Sequence, residues 1–532
     1  MKIELIKNSE LELKENLIIL PCFEKEDISF NKLDIPPQVL DIANNSIKEE
    51  KFKASKGELY YYNTVLEGKI INVLLLGMGK KSDANLKDAV KGLVSATKYA
   101  SQLYQGAIYI SLRPLERTSY ELFAKSVIRS IILSKYKFDK YKKSDDTKNE
   151  PIIKIVLKEN CLNNADTLIE DAKIEAECVN YTRDLINEPA NHMTPEILSQ
   201  KARESAEKYG YEAEIFDEKY IEKMKMGAFL SVAKGSANPP RLIVLRYKGN
   251  PSDEKIYGLV GKGLCYDSGG YSIKPTSSML DMKSDMGGSA TVIGALNLIA
   301  RKKLKVNITA VIASCENMIA GNAYKPGDII CSMDKTHIEV GNTDAEGRLT
   351  LADAITYSIQ EEKVSQIIEL STLTGAVLIA LGEEITGAIT KYDYLYDDLK
   401  KASKETLDEV WQLPYYEDYR KLLDSDFADI NNTGGRYAGS ITAGLFVTKF
   451  AKETPIIHLD IAGSAWGEKE TPIRPKGGTG ANVLMLYKYF ENKIKEEIKT
   501  VEEYSVMNKQ IIEVYEKYNR SLIESNAMDF SD

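Results

Sequence analysis

Histidine and cysteine are scarce in this chain, which has three histidines and six cysteines among 532 residues. The cysteines form no Cys-x-x-Cys pair, which argues against zinc ribbons and thioredoxin-type redox chemistry. His337 and His458 lie in strand patterns, so we expect them to be core or interface residues. A metal site in this protein would therefore depend mainly on carboxylates.

Long apolar runs and a surplus of positive charge are lacking as well. The longest apolar runs, 73–78 and 375–382, are far shorter than the roughly 18 residues that a membrane span needs. The 79 acidic and 70 basic side chains give a formal charge of −9, which argues against a dedicated nucleic-acid-binding protein. The first residues lack a basic stretch followed by an apolar one, so no secretory signal is expected. We predict a cytoplasmic protein without membrane partners.

Strand-like and helix-like segments alternate along the chain, which predicts an α/β fold. We predict a smaller N-terminal α/β domain at 1–165, a linker helix and turn at 166–195 and a larger C-terminal α/β domain at 196–490. Residues 491–532 are predicted to form a charged helical extension. The predicted strands are 17–20, 59–65, 70–76, 107–111, 152–157, 242–247, 256–260, 308–313, 366–370 and 456–461.

Residues able to carry chemistry are concentrated in three short segments. The first, VGKGLCYDSGGYSIK (260–274), follows a strand and contains Lys262, Asp267 and Lys274. Its glycines would let the backbone turn and approach a ligand, although a loop with solvated lysines is an equal alternative. The second segment, MKSDMGGSA (282–290), contains Asp285, which could simply cap the helix that follows.

The third segment, VGNTDAEGRLTLADA (340–354), contains Asp344, Glu346 and Arg348. In an extended segment, residues two apart point to the same side, so we expect these three side chains to share one face. Acidic residues favoured at a helix N-terminus are the alternative, which leaves Arg348 unexplained.

Together the three segments supply four carboxylates, which would repel one another unless cations neutralise them. Divalent ions such as magnesium, manganese or zinc suit oxygen-rich ligands. Two such ions about 3.5–4 Å apart serve aminopeptidases, phosphatases and nucleases, and the residues alone leave these three classes open.

These segments, with NEPANHMTP (187–195) and NNTGGRYAGSITAGLF (431–446), resemble the leucyl aminopeptidase family of dimetal cytosolic peptidases. The motif NTDAEGRL is the most specific, and the resemblance extends from about residue 175 to residue 487. It implies that 196–490 is a catalytic domain with a mixed central sheet. It also implies an aminopeptidase that releases N-terminal residues, such as leucine and other apolar ones, from peptides by attack of a metal-bridging water.

The resemblance also implies the role of each matched residue. A tightly bound ion would be held by Lys262, Asp267, Asp285 and Glu346. A more exchangeable ion would be held by Asp267, Asp344 and Glu346. Lys274 corresponds to the catalytic lysine of the family, and Arg348 corresponds to the arginine that holds a bicarbonate ion beside the scissile bond.

Further expectations follow from the same resemblance. Met282, Thr372 and Gly375 would line the pocket for the first side chain of the substrate, although ordinary core packing explains them equally well. His192 matches no ligand position, so we interpret it as structural. The implied cofactors are two divalent ions per subunit, zinc or manganese, with magnesium or cobalt as alternatives, and the implied assembly is a homohexamer.

Two other functions on the same fold are considered. The first is a DNA-binding regulator, which the acidic composition disfavours. The second is an inactive scaffold, which the presence of all seven matched site residues disfavours.

Overall fold

The computed structural model describes residues 2–13, 16–26, 35–143, 150–157 and 165–499. Within these residues, every helix is too short or too polar to cross a membrane. The predicted C-terminal extension begins as helix, because residues 483–499 are helical. Its remainder, 500–532, lies outside the described residues.

The first sheet has six strands in the order β1-β6-β5-β2-β4-β3, and every neighbouring pair is parallel except the β3–β4 hairpin. The central strand β2 is buried along its whole length, as expected when helices cover both faces of a parallel sheet. Helix α1 packs on one face, and α2 and α3 pack on the other. The elements are β1 (Ile3–Lys7), β2 (Leu17–Cys22), α1 (Pro37–Lys48), β3 (Leu59–Leu66), β4 (Lys69–Gly77), α2 (Leu86–Leu103), β5 (Ala107–Ser111), α3 (Tyr120–Leu133) and β6 (Ile152–Leu157).

Helix α4 (Ala165–Asn187) runs from the first sheet into the second half of the chain. Leu168 near its start belongs to the hydrophobic core of the first sheet, whereas Val179 and Leu185 belong to the core of the second sheet. The helix ends just before Pro189, because a residue that precedes proline disfavours helical geometry. One continuous helix thus contributes side chains to two cores.

The second sheet is mixed and has nine strands. Eight follow the order β16-β15-β18-β14-β9-β11-β8-β7, and β10 pairs with β11. Its strands are β7 (Glu212–Phe216), β8 (Arg241–Lys248), β9 (Ile256–Gly261), β10 (Gly263–Asp267), β11 (Asn307–Asn317), β14 (Gln366–Ser371), β15 (Ile385–Ile389), β16 (Glu409–Gln412) and β18 (Ile456–Asp460). The short strands outside it are β12 (Ile329–Cys331), β13 (His337–Glu339), β17 (Ile430–Asn431), β19 (Trp466–Gly467) and β20 (Gly477–Gly478).

Helices cover both faces of this sheet, and two separate apolar clusters form its core. The helices are α5 (Pro195–Tyr209), α6 (Glu218–Lys223), α7 (Gly227–Ala233), α8 (Thr276–Met279), α9 (Gly287–Arg301), α10 (Gly347–Gln360), α11 (Gly375–Leu381), α12 (Asp393–Thr406) and α13 (Gly439–Lys449). Strands β9, β14 and β18 are mutually parallel, and β10 and β11 run in the same direction. Their carboxyl ends therefore meet at one edge of the sheet, where ligands of open α/β sheets usually bind.

All ten predicted strands are present, with bounds that differ by a few residues. The glycine-rich segment after Val260, for which a loop was one of two alternatives, contains an additional strand, because 263–267 forms β10 beside β11. Strands β1, β7 and β15 are among those that were not predicted. Each is only five residues long, and their composition has no long apolar run.

The two histidines expected in the core or at an interface differ from each other. His458 is fully buried and its Nδ1 contacts a carboxylate oxygen of Glu369. His337 is not a core residue, because 60% of its side chain is exposed and its Nδ1 lies 3.5 Å from Asp429 Oδ2, which leaves an interface position as the prediction for it. His192 stacks on Tyr141 with ring centroids 5.2 Å apart, which is a packing contact.

Candidate active site

Lys262 lies at the carboxyl end of β9, where the backbone of two elements comes unusually close. Its N–H donates to Leu370 O at 3.0 Å, and its carbonyl accepts from Ser289 N at 2.9 Å. A Cβ on Gly288 would lie 2.1 Å from Leu370 O, so only glycine fits where α9 meets these strand ends. This contact holds Lys262 beside the start of α9.

The ammonium group of Lys262 joins two carboxylates that come from different segments. Its Nζ lies 2.8 Å from Asp285 Oδ2 and 2.8 Å from Glu346 Oε1. It also donates to Thr372 O at 3.1 Å. Asp285 lies in the 3₁₀ turn Met282–Met286 that leads into α9, and Glu346 immediately precedes α10. The side chain of Lys262 is only 3% exposed, so this cluster is screened from water.

Lys274 joins the other two carboxylates in the same way. Its Nζ lies 2.9 Å from Asp267 Oδ2 and 2.6 Å from Asp344 Oδ1. Asp267 ends β10, and its Oδ1 accepts hydrogen bonds from Gly269 N and Asn317 Nδ2, both at 2.8 Å. These two donors fix the carboxylate in one orientation. All four carboxylates and both lysines named from the sequence therefore lie in one cluster.

Three of these carboxylates are close enough to share a cation. Asp267, Asp344 and Glu346 each offer an oxygen atom that lies within 4.8 Å of the other two. Glu346 Oε2 is buried and has no hydrogen-bond partner among the described residues. A buried carboxylate oxygen without a donor is costly in a folded protein and suits a cation ligand. The residues present therefore fit a divalent metal ion.

The acid–base behaviour of the cluster reflects its burial. Burial raises the pKa of Asp285 to about 8, and burial together with repulsion by Glu346 raises the pKa of Asp267. Burial alone would lower the pKa of Lys262, but attraction to Asp285 and Glu346 outweighs it and raises this pKa. With the charges of the protein alone, Lys262 is therefore an ammonium ion that neutralises carboxylates.

Arg348 lies in the first turn of α10, and its guanidinium is anchored on one side only. Its Nη1 donates to Asn432 O at 2.8 Å, whereas Nε has no hydrogen-bond partner in the described part of the chain. Burial lowers its pKa to about 10, although attraction to Glu346 and Asp460 opposes this. A buried guanidinium with a free donor is suited to bind a small anion.

Asp344, Glu346 and Arg348 do not share a face in the way that the sequence suggested. The segment is not extended, because Asp344 lies in a turn and Glu346 already has the helical angles φ −76° and ψ −39°. The turn and the first helical residues bring the two carboxylates together instead. The assumption of an extended segment was wrong, while the proximity of Asp344 and Glu346 was predicted correctly.

The three residues predicted for the substrate pocket lie at the edge of this cluster. Thr372 Oγ1 donates to Asp285 Oδ1 at 2.8 Å, which places it beside the carboxylates. Met282 is half-buried at the start of the 3₁₀ turn that carries Asp285. Gly375 is exposed at the start of α11, and a Cβ added there would meet open space.

Two further residues organise the site but were not singled out in the sequence. Asn317, the last residue of β11, donates from Nδ2 to both Asp267 Oδ1 and Thr343 O. Asp460, the last residue of β18, accepts from Thr374 Oγ1 at 2.6 Å and from the N–H of Leu373 at 3.2 Å, and so holds the turn after Thr372. Both are polar residues at the ends of buried strands, and that position is the only signal the sequence contains.

Comparison with known proteins decides the family. Residues 180–487 match the model of the cytosol aminopeptidase family, catalytic domain, and residues 19–145 match that of its N-terminal domain. The chain belongs to the cytosol aminopeptidase family. As a member of this family it is an aminopeptidase, and therefore a hydrolase that acts on peptides, with the family's two-domain α/β architecture.

Curated relatives of this aminopeptidase cover nearly its whole length. A probable cytosol aminopeptidase of Clostridium perfringens is 44% identical over 498 residues, which cover 92% of this chain and 99% of the relative. One of Fusobacterium nucleatum is 39% identical, covering 88% of this chain and 98% of the relative. Among solved structures, the bottromycin maturation enzyme BotP in complex with Mn is 26% identical with a TM-score of 0.77, covering 90% of this chain and 99% of that one.

Gly347 packs directly against the side chain of Lys262, so a substitution there tests whether activity requires the observed position of the Lys262 ammonium group. A Cβ at this position would lie 2.4 Å from Lys262 Cε and 2.6 Å from Nζ. Because Nζ is held by two carboxylates and a carbonyl, Gly347→Ala should displace it and lower kcat about 10–100-fold. Gly321→Ala is the control, since a Cβ there meets no atom within 4 Å. Steady-state kinetics on both variants would check this, and equal activity would contradict it.

Proposed function

We propose that this chain is a two-metal aminopeptidase that releases N-terminal residues, preferentially apolar ones such as leucine, from peptides. The observation that carries the proposal is the group formed by Asp267, Asp344 and Glu346, whose carboxylate oxygens lie within 4.8 Å of one another. Lys274 Nζ contacts two members of this group, Asp267 and Asp344, and so lies directly beside the proposed metal ligands. The family supports peptide-bond hydrolysis, and this geometry supports the metal requirement.

The proposed ligands are those implied by the resemblance. Lys262, Asp267, Asp285 and Glu346 would hold one ion. Asp267, Asp344 and Glu346 would hold the other. When bound, two divalent ions supply Lewis acidity and lower the pKa of water, so that hydroxide is available near neutral pH. Lys262 would have to lose its proton to act as a ligand, which nearby divalent cations favour.

The side chains of the chain would then divide the remaining work. Lys274 would donate to the oxygen of the scissile carbonyl as negative charge develops on it, which lowers the barrier by a preorganised electrostatic effect. Arg348 would hold a bicarbonate ion through the donors that Asn432 leaves free, and when bound this ion would supply a proton-transfer group beside the leaving amine. Met282, Thr372 and Gly375 would contact the first side chain of the substrate.

Metal identity and assembly are also proposed. We propose zinc or manganese for the two ions, because both metals accept carboxylate ligands and an amine ligand, with magnesium or cobalt as alternatives. The solved structure of BotP in complex with Mn supports manganese by similarity. We further propose peptides as the substrates, a homohexamer as the assembly and the cytoplasm as the location. Neither a DNA-binding role nor an inactive scaffold is favoured by any observation described above.

The direct test uses chelator-treated protein and a small panel of aminoacyl amides. We expect no hydrolysis after chelation and recovery when zinc, manganese, cobalt or magnesium is added separately, with leucine amide among the best substrates.

A matched pair of substrates tests whether the reaction requires a free N-terminus. N-Acetyl-leucine amide lacks a free α-amine and should react roughly 100-fold or more slowly than leucine amide, because its acylated nitrogen cannot serve as a ligand to a metal ion. Full activity without metal, or comparable rates for the pair, would contradict the proposal.

A further inference from the structure

A small cavity lies between the two halves of the molecule, away from the candidate active site. Its volume is about 60 Å³, and its walls come from α3, α4 and residues 406–408 and 473–484. The charged groups that line it are three arginines and one aspartate, namely Arg129, Arg183, Arg474 and Asp408. No step of the proposed reaction uses any of them.

Arg183 is the central cation of this cavity and is 2% exposed. Its Nε donates to Thr479 O at 2.9 Å, and its Nη1 donates to Leu133 O at 2.9 Å and to Asn180 Oδ1 at 3.1 Å. Its guanidinium carbon lies 5.3 Å from the centre of the Tyr136 ring. None of the described carboxylates forms an ion pair with it. Burial lowers its pKa to about 10, and repulsion by Arg474 adds to this, whereas attraction to Tyr136 and Asp184 opposes it.

The other groups leave the cavity with an excess of positive charge. Arg474 donates to the carbonyl of Glu383 at 2.9 Å and forms no ion pair with a described residue. Arg129 is neutralised by Glu175, which it shares with Lys125. Asp408 is half-buried and is the single acidic group in the lining. Two guanidinium groups therefore face one carboxylate.

The size of the cavity restricts the ligand. One water needs roughly 10–15 Å³ of such space, so about 60 Å³ accommodates a few waters or one small ion but not a nucleotide. Planar guanidinium groups match the oxygen pairs of phosphate and similar anions. We propose that this cavity binds a small tetrahedral oxyanion of the phosphate class, held by Arg183 and Arg474.

Such an anion would connect the two halves of the chain. Arg183 belongs to α4, whereas Arg474 belongs to the segment that returns to pack on it. That segment is close to α4, since a Cβ on Gly480, which has φ +67°, would lie 2.7 Å from Val179 Cγ1. Because the cavity exists only in the folded protein, binding should raise the thermal unfolding midpoint as the phosphate concentration increases.

The experiment is titration of the full, chelator-treated chain with inorganic phosphate in a calorimeter, at constant ionic strength set with chloride. Chelation prevents phosphate from binding through metal ions. We expect saturable binding that chloride does not reproduce. Arg474→Gln should weaken it about 10–100-fold, as expected for loss of a charged hydrogen bond. Asp408→Asn should tighten it severalfold, because it removes the opposing charge and keeps the side-chain shape.

Arg241→Gln is the matched control, because that guanidinium also donates to a backbone carbonyl, Pro240 O at 2.9 Å, and lies outside the cavity. It should bind phosphate as the unmodified chain does. Absence of saturable binding, equal weakening in the Arg474 and Arg241 variants, or an unchanged affinity in Asp408→Asn would each overturn the proposal. Thermal unfolding of every variant without phosphate would establish that each is folded. The experiment does not require a variant of the buried Arg183.

Discussion

Replacing Lys274 by alanine is expected to lower kcat roughly 10²–10³-fold while metal content and KM change little. This is the size of effect seen when one donor to a developing oxyanion is removed. Lys274 Nζ contacts Asp267 and Asp344 at 2.9 and 2.6 Å, so it sits beside the proposed metal ligands as a cation. Its loss removes repulsion toward metal ions, and therefore should not release them. A group that acts mainly in the transition state changes kcat more than affinity.

Lys283→Ala is the matched control for this variant. Lys283 is also a partly buried lysine near the site, but its Nζ donates to Asn187 O at 2.7 Å and contacts none of the four carboxylates. Its replacement should change kcat less than about tenfold. Metal analysis and steady-state kinetics on the same preparations would check both variants. If Lys274→Ala loses an ion, or loses affinity while kcat stays normal, the role assigned to Lys274 is wrong.

Replacing Glu346 by glutamine is expected to reduce metal content and turnover together, with activity lower by roughly 10³-fold or more. Glu346 is 1% exposed. One of its carboxylate oxygens lies within 4.8 Å of a carboxylate oxygen of Asp267 and of Asp344, so the three residues can bind the same cation. Glutamine keeps the shape of the side chain but removes the charge that would be shared between two ions. The buried Oε2 atom would no longer be an anionic ligand.

The control for Glu346→Gln is Glu316→Gln. Glu316 is a buried glutamate at the same edge of the sheet, and its carboxylate accepts from Ser236 and Asn238 instead of facing the cluster. Metal content after dialysis and kcat should be close to normal in this control. Two retained ions with near-normal turnover in Glu346→Gln would refute its assignment as a shared ligand.

The buried strands of the two sheets have a recognisable sequence pattern, whereas the half-exposed strands do not. Buried strands such as 308–313 and 366–370 were predicted because their apolar residues form short uninterrupted runs, which is the pattern of a sheet covered on both faces. The half-exposed strand β1 and the glycine-containing strand β15 have no such run. Their pairing is determined by neighbouring strands, which a local pattern does not contain.

The site was predictable where residues cluster in sequence and unpredictable where tertiary structure brings them together. Asp344 and Glu346 were found because they are two residues apart, although the reason given was wrong, since the backbone there turns into a helix. Asn317 contacts Asp267, which lies 50 positions earlier. Asp460 contacts Thr374, which lies 86 positions earlier. Separations of this length in the sequence produce no periodic pattern, so these contacts are visible only in the folded structure.

Helix α4 has a consequence for how the protein unfolds. Because its first half packs in the N-terminal core and its second half in the catalytic core, neither core is complete without the same 23-residue helix. Melting of either domain would expose apolar side chains that the other domain needs to keep buried, so the free energies of unfolding of the two domains are coupled. A fragment that starts after this helix would lack Val179 and Leu185 and would present an uncovered apolar face to water. The boundary between the domains is therefore a shared structural element, and the chain is best treated as one cooperative unit.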